Sequence, residues 1–296
     1  METNELFNSL LDKITQELTL SPELPDETME STLRALWLTA SGCPCSAKHA
    51  TTVALPELSE SQERVLRGLL SRRINGIPLM HITKRAHFMG LELEFDTDVF
   101  IIRPETEILG KAAVECLNNR GDPVMIDVGC GGGNLTCGIA AAIPDLSVYA
   151  VDILQSCVDL TNRNVVHCNV GNRVTVLLGD LFNPLEKMQC EGSIDAVVCN
   201  PPYISSARLK GDRSYLLDHE PIEAFDGGPF GFAMHQRLLK ESLRFLKPGG
   251  ALLFEFGAGQ HKQVQTLVNR VGGYETVDFL FDRDGVARVV MACTGS

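Results

Sequence analysis

The chain is short of positive charge. Its 296 residues hold 26 Lys and Arg against 38 Asp and Glu, which gives a formal net charge of −12. Nucleic-acid binding depends on Lys and Arg facing phosphates, so this balance argues against direct binding to DNA or RNA. Aromatic residues are also few, at 6%, and a base-stacking module would need more of them. The 44% hydrophobic content is ordinary for a chain that buries a core.

Long apolar runs and paired cysteines are absent as well. No stretch approaches the roughly 20 apolar residues of a membrane span, and Met1–Glu5 carries acids where a secretory signal needs positive charge. Ten cysteines occur without a C-x-x-C pair, which is typical of reduced thiols in a cytoplasmic protein. Cys43, Cys45 and His49 lack a second cluster that would complete a zinc site. We therefore expect a cytoplasmic protein with no membrane association and no metal.

The first third of the sequence has helical periodicity. Apolar residues recur at helical spacing over residues 4–19 and 26–40, and a capping box at Ser59–Gln62 begins a third helix that ends at Gly76. These patterns predict a helical domain over residues 1–87. The polar face of its third helix is basic, which suits either a solvated surface or a docking surface for an acidic partner. Its basic residues are Arg64, Arg67, Arg72 and Arg73.

The spacing of the apolar residues changes from helical to alternating at Phe88. Alternation continues to Phe95, and Val99–Ile102 forms a second short apolar run, so a β-hairpin linker is predicted over residues 88–103. Arg103-Pro104-Glu105-Thr106-Glu107 follows and is typical of a helix start, with proline and acids in the first turn. A second domain is predicted over residues 104–296.

Strands and helices alternate through that second domain. This order predicts an α/β fold with a Rossmann-like, mostly parallel, seven-stranded sheet. The turn over residues 282–286 is too short for a parallel crossover, so the last two strands should be antiparallel. The predicted strands are Val124–Val128, Leu146–Val151, Val174–Leu178, Ile194–Cys199, Ala251–Phe256, Val277–Phe281 and Ala287–Met291.

A glycine-rich turn follows the first of these strands. Glycines stand at 129, 131 and 133, whereas a dinucleotide site would need its third glycine at 134, which is Asn. Asp152 ends the second strand, where a ribose diol needs an acceptor, and Asp180 follows the third strand. Each acid alone is weak evidence because Asp is common in loops. Together with the glycines they predict a site for S-adenosylmethionine.

The strand Ile194–Cys199 stops at Asn200-Pro201-Pro202-Tyr203. The prolines cannot donate to a sheet ladder, so Asn200 should lie at the carboxyl end of a central strand, where open α/β sheets bind ligands. The Asn200 side-chain oxygen and the Pro201 carbonyl are two acceptors, and they suit a planar NH₂ group. Tyr203 can pack on such a substrate or simply on the protein.

This constellation resembles the class I methyltransferases that act on planar amide or amino nitrogens, over about the last 180 residues. Asn-Pro-Pro-Tyr alone does not distinguish enzymes of protein glutamine, DNA adenine and RNA guanine. Residues 102–107 are similar to the signature of the HemK/PrmC family, the peptide chain release factor glutamine methyltransferases. The segments His219–Pro221 with Phe225–Gly231, and Phe254–Gly257 with Gln260, resemble that family's insert and fifth strand.

The resemblance implies a helical domain that docks a release factor and a catalytic domain that methylates the glutamine of its Gly-Gly-Gln motif, in a monomer. The implied catalytic residues are Asn200, Pro201, Pro202 and Tyr203, and the substrate-binding residues are these four with Arg103 and Glu105. The implied cofactor-binding residues are Asp127, Gly129, Cys130, Gly131, Asp152, Ile153, Asp180, Leu181 and Asn200. The alternatives are an N-methyltransferase of a ribosomal protein glutamine, a small molecule or a nucleic-acid base, and a non-catalytic binding module.

Overall fold

The computed structural model describes residues 3–296, without the side chains of Thr3, Asn4 and Tyr215. Met1 and Glu2, part of the acidic start, lie outside the described residues. The chain divides into two compact units. Among the described residues, the first comprises residues 3–97 and Ile101–Pro104, and the second comprises Asp98–Phe100 and Glu105–Ser296. No helix within residues 3–296 has both the length and the apolar composition needed to cross a bilayer.

The first unit consists of helices and one hairpin. The three helices predicted from periodicity are confirmed, and two further helices of four and five residues are too short for periodicity to indicate. The elements are α1 (Thr3–Glu17), α2 (Met29–Ala40), α3 (Ala47–Ala50), α4 (Glu60–Ile74), α5 (Leu79–Thr83), β1 (Arg85–Phe88) and β2 (Leu91–Glu94).

The capping box before α4 is confirmed. The Ser59 hydroxyl accepts the Gln62 N–H at 3.4 Å, and the Gln62 side-chain oxygen accepts the Ser59 N–H at 2.9 Å. Arg73 is not part of the exposed basic face, because it is buried in an ion pair with Glu27 at 3.0 Å. The exposed basic residues of α4 are therefore Arg64, Arg67 and Arg72.

The hairpin lies earlier in the chain than predicted. β1 and β2 pair antiparallel from Arg85↔Glu94 to Phe88↔Leu91, with Met89 and Gly90 in the turn at positive φ. The prediction of a second strand at Val99–Ile102 is wrong, because that run forms no strand and its apolar side chains are mostly buried instead. An apolar run of four residues fits either outcome, so the pattern alone could not decide.

The second unit is an α/β domain whose strand and helix alternation follows the prediction. Its elements are α6 (Thr106–Leu117), β3 (Val124–Val128), α7 (Asn134–Ala142), β4 (Ser147–Asp152), α8 (Gln155–His167), β5 (Val174–Leu178), β6 (Ile194–Cys199), α9 (Ser206–Leu209), α10 (Ala233–Glu241), β7 (Leu246–Glu255), α11 (His261–Val271), β8 (Thr276–Phe281) and β9 (Ala287–Cys293).

The seven strands of this unit form one sheet in the order β5-β4-β3-β6-β7-β9-β8. The first five are parallel, and β9 runs antiparallel to both β7 and β8, so the mostly parallel, seven-stranded sheet is confirmed. All six residues of β6 are buried, as expected of a central strand covered on both faces. The chain moves outward from β3 to β5 and then returns to β6, which creates a switch point between β3 and β6.

Candidate active site

The carboxyl ends of the central strands meet at that switch point. Val128 pairs with Cys199, and Cys199 pairs with Phe254, so β3, β6 and β7 reach the same level. The residue that follows each of these positions lies at the edge of the sheet, where open α/β folds bind ligands. Those three residues are Gly129, Asn200 and Glu255.

The glycine-rich turn leaves room for a ligand at two positions. Gly129 and Gly131 have φ of +68° and +56°, which favours glycine, and a Cβ added at either would meet nothing within 4 Å. Gly133 differs, because a Cβ there would come within 2.9 Å of the Thr161 side chain. The first two glycines thus provide an open cradle, whereas the third permits close packing of α7 against α8.

Asp152 is anchored beside this cradle. One carboxylate oxygen accepts the Gly131 N–H at 2.9 Å and the other accepts the Leu154 N–H at 2.9 Å. Each oxygen keeps a lone pair for a ribose hydroxyl. Burial raises the pKa of Asp152, and its backbone hydrogen bonds oppose that change. The next residue, Ile153, is 60% exposed and presents an apolar surface beside Asp152.

Replacing Asp152 with Asn is expected to weaken S-adenosylmethionine binding about 10- to 100-fold, because an Asn NH₂ group cannot accept the backbone N–H that one carboxylate oxygen now accepts. Titration calorimetry with wild type and variant measures the change in Kd. Asp159→Asn, in the exposed Gln155–Asp159 pair of α8, is the matched control. Equal affinities of Asp152→Asn and wild type for S-adenosylmethionine would show that the Asp152 carboxylate does not bind it.

Asp127 and Cys130 have buried side chains. One Asp127 oxygen accepts the Thr136 hydroxyl at 2.6 Å, and the other has no hydrogen-bond partner among the described residues. Burial raises the pKa of Asp127 to about 7. Burial also raises the pKa of the Cys130 thiol well above its usual range, so this thiol stays protonated. At Cys130 only the backbone is suited to contact a ligand.

Asp180 has a partner that the sequence did not indicate. Arg237 on α10 donates two hydrogen bonds to its carboxylate, at 3.0 and 2.9 Å, and a third to Glu241 at 3.0 Å. A bidentate pair fixes the carboxylate plane while leaving lone pairs for an adenine amino group. Leu181, which follows Asp180, is buried with φ of +50°. The pairing of Arg237 with Asp180 could not be predicted from the sequence, because 57 positions separate the two residues.

Asn200 is tied to a hydroxyl at the start of α6. Its Nδ2 donates to Thr106 Oγ1 at 3.0 Å, and Thr106 Oγ1 donates to Glu255 Oε2 at 2.7 Å. The other oxygen of Glu255, Oε1, accepts from the Tyr203 hydroxyl at 3.3 Å. One buried carboxylate therefore connects to both ends of the Asn200–Tyr203 segment. In the sequence, Thr106 and Glu255 stood out only as members of motifs. The structure shows that their side chains link Asn200 to Tyr203 in one hydrogen-bond network.

The insert after β6 packs closely on the same segment. Ile204 and Asp226 form a parallel bridge, and the Tyr203 carbonyl accepts from Gln260 Nε2 at 3.0 Å. A Cβ on Gly227 would come within 2.8 Å of the Pro202 carbonyl, and one on Gly231 within 2.5 Å of the Tyr203 carbonyl. The insert and the residues after β7 thus hold the Asn200–Tyr203 backbone in place.

The two remaining substrate-binding candidates, Arg103 and Glu105, belong to different units. Glu105 immediately precedes α6 in the second unit, and its charge contributes to the raised pKa of Glu255. Arg103 belongs to the first unit, where its guanidinium lies 3.9 Å from Glu23. The structure thus groups Glu105 with the site and pairs Arg103 with an acid of the helical unit.

Burial raises the pKa of Glu255 from 4.5 to about 7, against its hydrogen bonds from Thr106 and Tyr203. The folded state binds this proton more tightly than the unfolded chain does. The contribution of Glu255 to the free energy of unfolding is therefore complete below about pH 4.5 and is lost as the pH rises through about 7. The loss amounts to about 3 kcal/mol.

The free energy of unfolding is accordingly expected to fall less between pH 5 and pH 8 in Glu255→Gln than in wild type, by about 2–3 kcal/mol. Urea unfolding at both pH values measures this difference. Glu115→Gln, at an exposed position on α6, is the control. Parallel pH curves for wild type and Glu255→Gln would contradict the assignment.

Comparison with known proteins identifies the class of this fold. Residues 105–213 match the family model of the methyltransferase small domain. A methyltransferase from Pyrococcus furiosus has the same fold, with a TM-score of 0.51 and 19% identity over 70% of this chain and 90% of that one. Fold and site together define a class I, S-adenosylmethionine-dependent methyltransferase.

Two curated relatives narrow the class. The release factor glutamine methyltransferase of Gloeobacter violaceus is 32% identical over 237 residues, which cover 80% of this chain and 82% of the relative. The enzyme of the same name from Moorella thermoacetica is 34% identical over 223 residues, 75% of this chain and 77% of the relative. The chain belongs to the release factor glutamine methyltransferase family, as its motifs predicted.

Proposed function

We propose that this chain methylates the side-chain amide nitrogen of the glutamine in the Gly-Gly-Gln motif of a peptide chain release factor. The observation that carries the proposal is the orientation of Asn200. Its NH₂ group is committed to Thr106, so its oxygen is the atom left to accept a hydrogen bond from a substrate. Family membership supports the release factor as the source of that glutamine.

The residues around the turn after β3 fit the methyl donor. The open cradle at Gly129 and Gly131, the carboxylate of Asp152 and the exposed Ile153 are suited to hold its nucleoside. Asp180, held by Arg237, is suited to accept from its adenine amino group. When bound, S-adenosylmethionine supplies an electrophilic methyl group on a sulfonium.

The protein's contribution to the chemistry is positioning. An amide nitrogen is a poor nucleophile because its lone pair is delocalised into the carbonyl. Asn200 Oδ1 and the Pro201 carbonyl each accept one N–H of the glutamine amide and so fix its nitrogen in line with the methyl group. Pro201 lies beyond the end of β6, so its carbonyl is outside the sheet ladder. Pro202 stiffens the segment, and Tyr203 covers the bound amide.

We assign substrate docking to residues 1–87, the link to 88–103 and catalysis to 104–296. The exposed arginines of α4 are suited to contact an acidic surface of the release factor. Arg103 and Glu105 flank the start of the catalytic domain and are assigned to the substrate. The enzyme acts in the cytoplasm as a monomer, without binding nucleic acid.

Incubation with isotopically labelled methyl donor and a candidate release factor tests the function. We expect label in the release factor with Gln at the Gly-Gly-Gln motif and none when that Gln is Ala. Tryptic mass spectrometry should place one methyl group on this side chain. Equal labelling of both factors would refute the proposal, and labelling of nucleic acid that weakens steeply with salt would favour a base methyltransferase instead.

A further inference from the structure

The side-chain amide of Asn200 has two ends with opposite functions. Its oxygen can accept a hydrogen bond from a substrate NH₂ group, whereas its nitrogen can only donate one. A half-turn of the amide exchanges the two ends at almost no cost in shape. Something in the protein must therefore set which end faces the substrate.

The hydroxyl of Thr106 is placed to do this. It lies 3.0 Å from Asn200 Nδ2 and 2.7 Å from Glu255 Oε2. A hydroxyl has one proton, and the ionised carboxylate of Glu255 can only accept it. Thr106 Oγ1 is then left with lone pairs on the side of Asn200, and only the NH₂ end of the amide can satisfy them.

Protonation of Glu255 would reverse this chain of donors. A protonated Glu255 can donate to Thr106 Oγ1, and the hydroxyl proton of Thr106 then points towards Asn200. The amide turns so that its oxygen accepts that proton, and its NH₂ group faces the substrate. An NH₂ group facing the NH₂ of a glutamine makes no hydrogen bond, so the protonated form is not competent.

We propose that Thr106 and Glu255 are positioning residues that set the polarity of the Asn200 amide and thereby select substrates presenting an NH₂ group. The inference rests on the proposed function in that the selected group is the glutamine amide. Glu255 is 3% exposed, and no described side chain other than Thr106 and Tyr203 is hydrogen-bonded to its carboxylate. The polarity therefore depends on one carboxylate and one hydroxyl.

The surroundings of Glu255 place its titration near neutral pH. Burial and the charge of Glu105 raise its pKa, the hydrogen bonds from Thr106 and Tyr203 and the charge of Arg288 lower it, and the net result is a pKa of about 7. Arg288 is also paired with Asp282 at 2.8 Å. Burial lowers the pKa of His235 to about 4, so the ring that contacts the Glu255 backbone oxygen at 3.2 Å is neutral. The other titratable groups nearby are Tyr203 and the protonated thiol of Cys199.

Single-turnover methylation at saturating methyl donor, measured from pH 5.5 to pH 8.5, tests the inference. Thr106→Val keeps the shape and removes the hydroxyl, and we expect its rate at pH 8 to fall about tenfold or more. Thr106→Ser restores the hydroxyl and should recover most of the rate. Wild type and Thr106→Ser should lose activity below about pH 7, whereas Glu255→Gln should be slow with no such acid limb.

A second measurement does not depend on turnover. In protein labelled with ¹⁵N-asparagine, the side-chain NH₂ resonances of Asn200, assigned with Asn200→Asp, should shift with a midpoint near pH 7 in wild type and Thr106→Ser but not in Thr106→Val or Glu255→Gln. Thr32→Val is the matched control, since Thr32 is buried in the helical unit and its hydroxyl has no partner among the described residues. It should resemble wild type in both experiments.

The outcomes separate the two proposals. If wild type methylates the release factor and Thr106→Val has the same rate and pH profile, the polarity inference is wrong and the proposed function stands. If wild type methylates no release factor but the Asn200 resonances titrate only when Thr106 keeps its hydroxyl, the proposed function is wrong and the polarity mechanism stands. Resonances that do not titrate in wild type would overturn the inference directly.

Discussion

Replacing Asn200 with Ala is expected to lower the single-turnover rate of glutamine methylation roughly 30- to 1000-fold, equivalent to about 2–4 kcal/mol of transition-state stabilisation. In the proposed function the variant loses the oxygen that accepts one substrate N–H, and that N–H is left unpaired. It also leaves the Thr106 hydroxyl without its 3.0 Å donor. Rapid-quench assays with labelled methyl donor measure the rate.

The matched control for this variant is Asn162→Ala. Asn162 donates to the Val158 carbonyl at 2.9 Å on α8, so its replacement removes a similar hydrogen bond away from the site. Its rate should stay near that of wild type. The larger loss in Asn200→Ala should appear in the rate of methyl transfer far more than in the Kd of the methyl donor. A near-normal rate in Asn200→Ala would rule out positioning of the substrate amide by the Asn200 oxygen.

Replacing Gly231 with Ala is expected to destabilise the protein by on the order of 3 kcal/mol and to abolish most activity. Gly231 has φ of +78°, which an L side chain rarely adopts, and the new Cβ would lie 2.5 Å from the Tyr203 carbonyl oxygen. One of the two must move, and Tyr203 is held through Gln260 and Glu255. Urea unfolding and the methylation rate measure the two effects.

Gly285→Ala separates backbone strain from this collision. Gly285 lies in the turn between β8 and β9 with φ of +75°, and a Cβ there would meet nothing within 4 Å. Its loss of stability should be about 1–2 kcal/mol, and the methylation rate should be unchanged. If both glycine variants lost the same stability and the same activity, the packing of the insert on Tyr203 would have no special role.

The parts of the site that could be predicted are those that local sequence determines. Asn200 stands directly after an apolar strand and before two prolines, so its place at a strand end follows from neighbouring residues. The glycine turn and Asp152 follow in the same way. The alternation of strands and helices also predicted a mostly parallel sheet, because a parallel crossover needs a connection of about a dozen residues or more, usually a helix.

The rest depends on which strands become neighbours. Thr106 and Glu255 are 149 positions apart and meet only because β7 lies beside β6 with α6 packed over their ends. Arg237 reaches Asp180 from a helix after the insert. Neither pairing has a local pattern. The hairpin was misplaced for a related reason, since an apolar run as short as Val99–Ile102 can be buried without pairing to a strand.

The order of the last three strands has a consequence for how the domain folds during synthesis. β7 carries Glu255 at its end, and its outer neighbour is β9, not β8, with Glu255 paired to Val289. As the chain leaves the ribosome, β8 emerges before β9. It has no neighbour in the sheet until β9 takes its place between β7 and β8. Until then β7 has an unpaired edge, which invites mispairing and aggregation. The catalytic domain of the nascent chain is therefore expected to acquire its activity in one late, cooperative step.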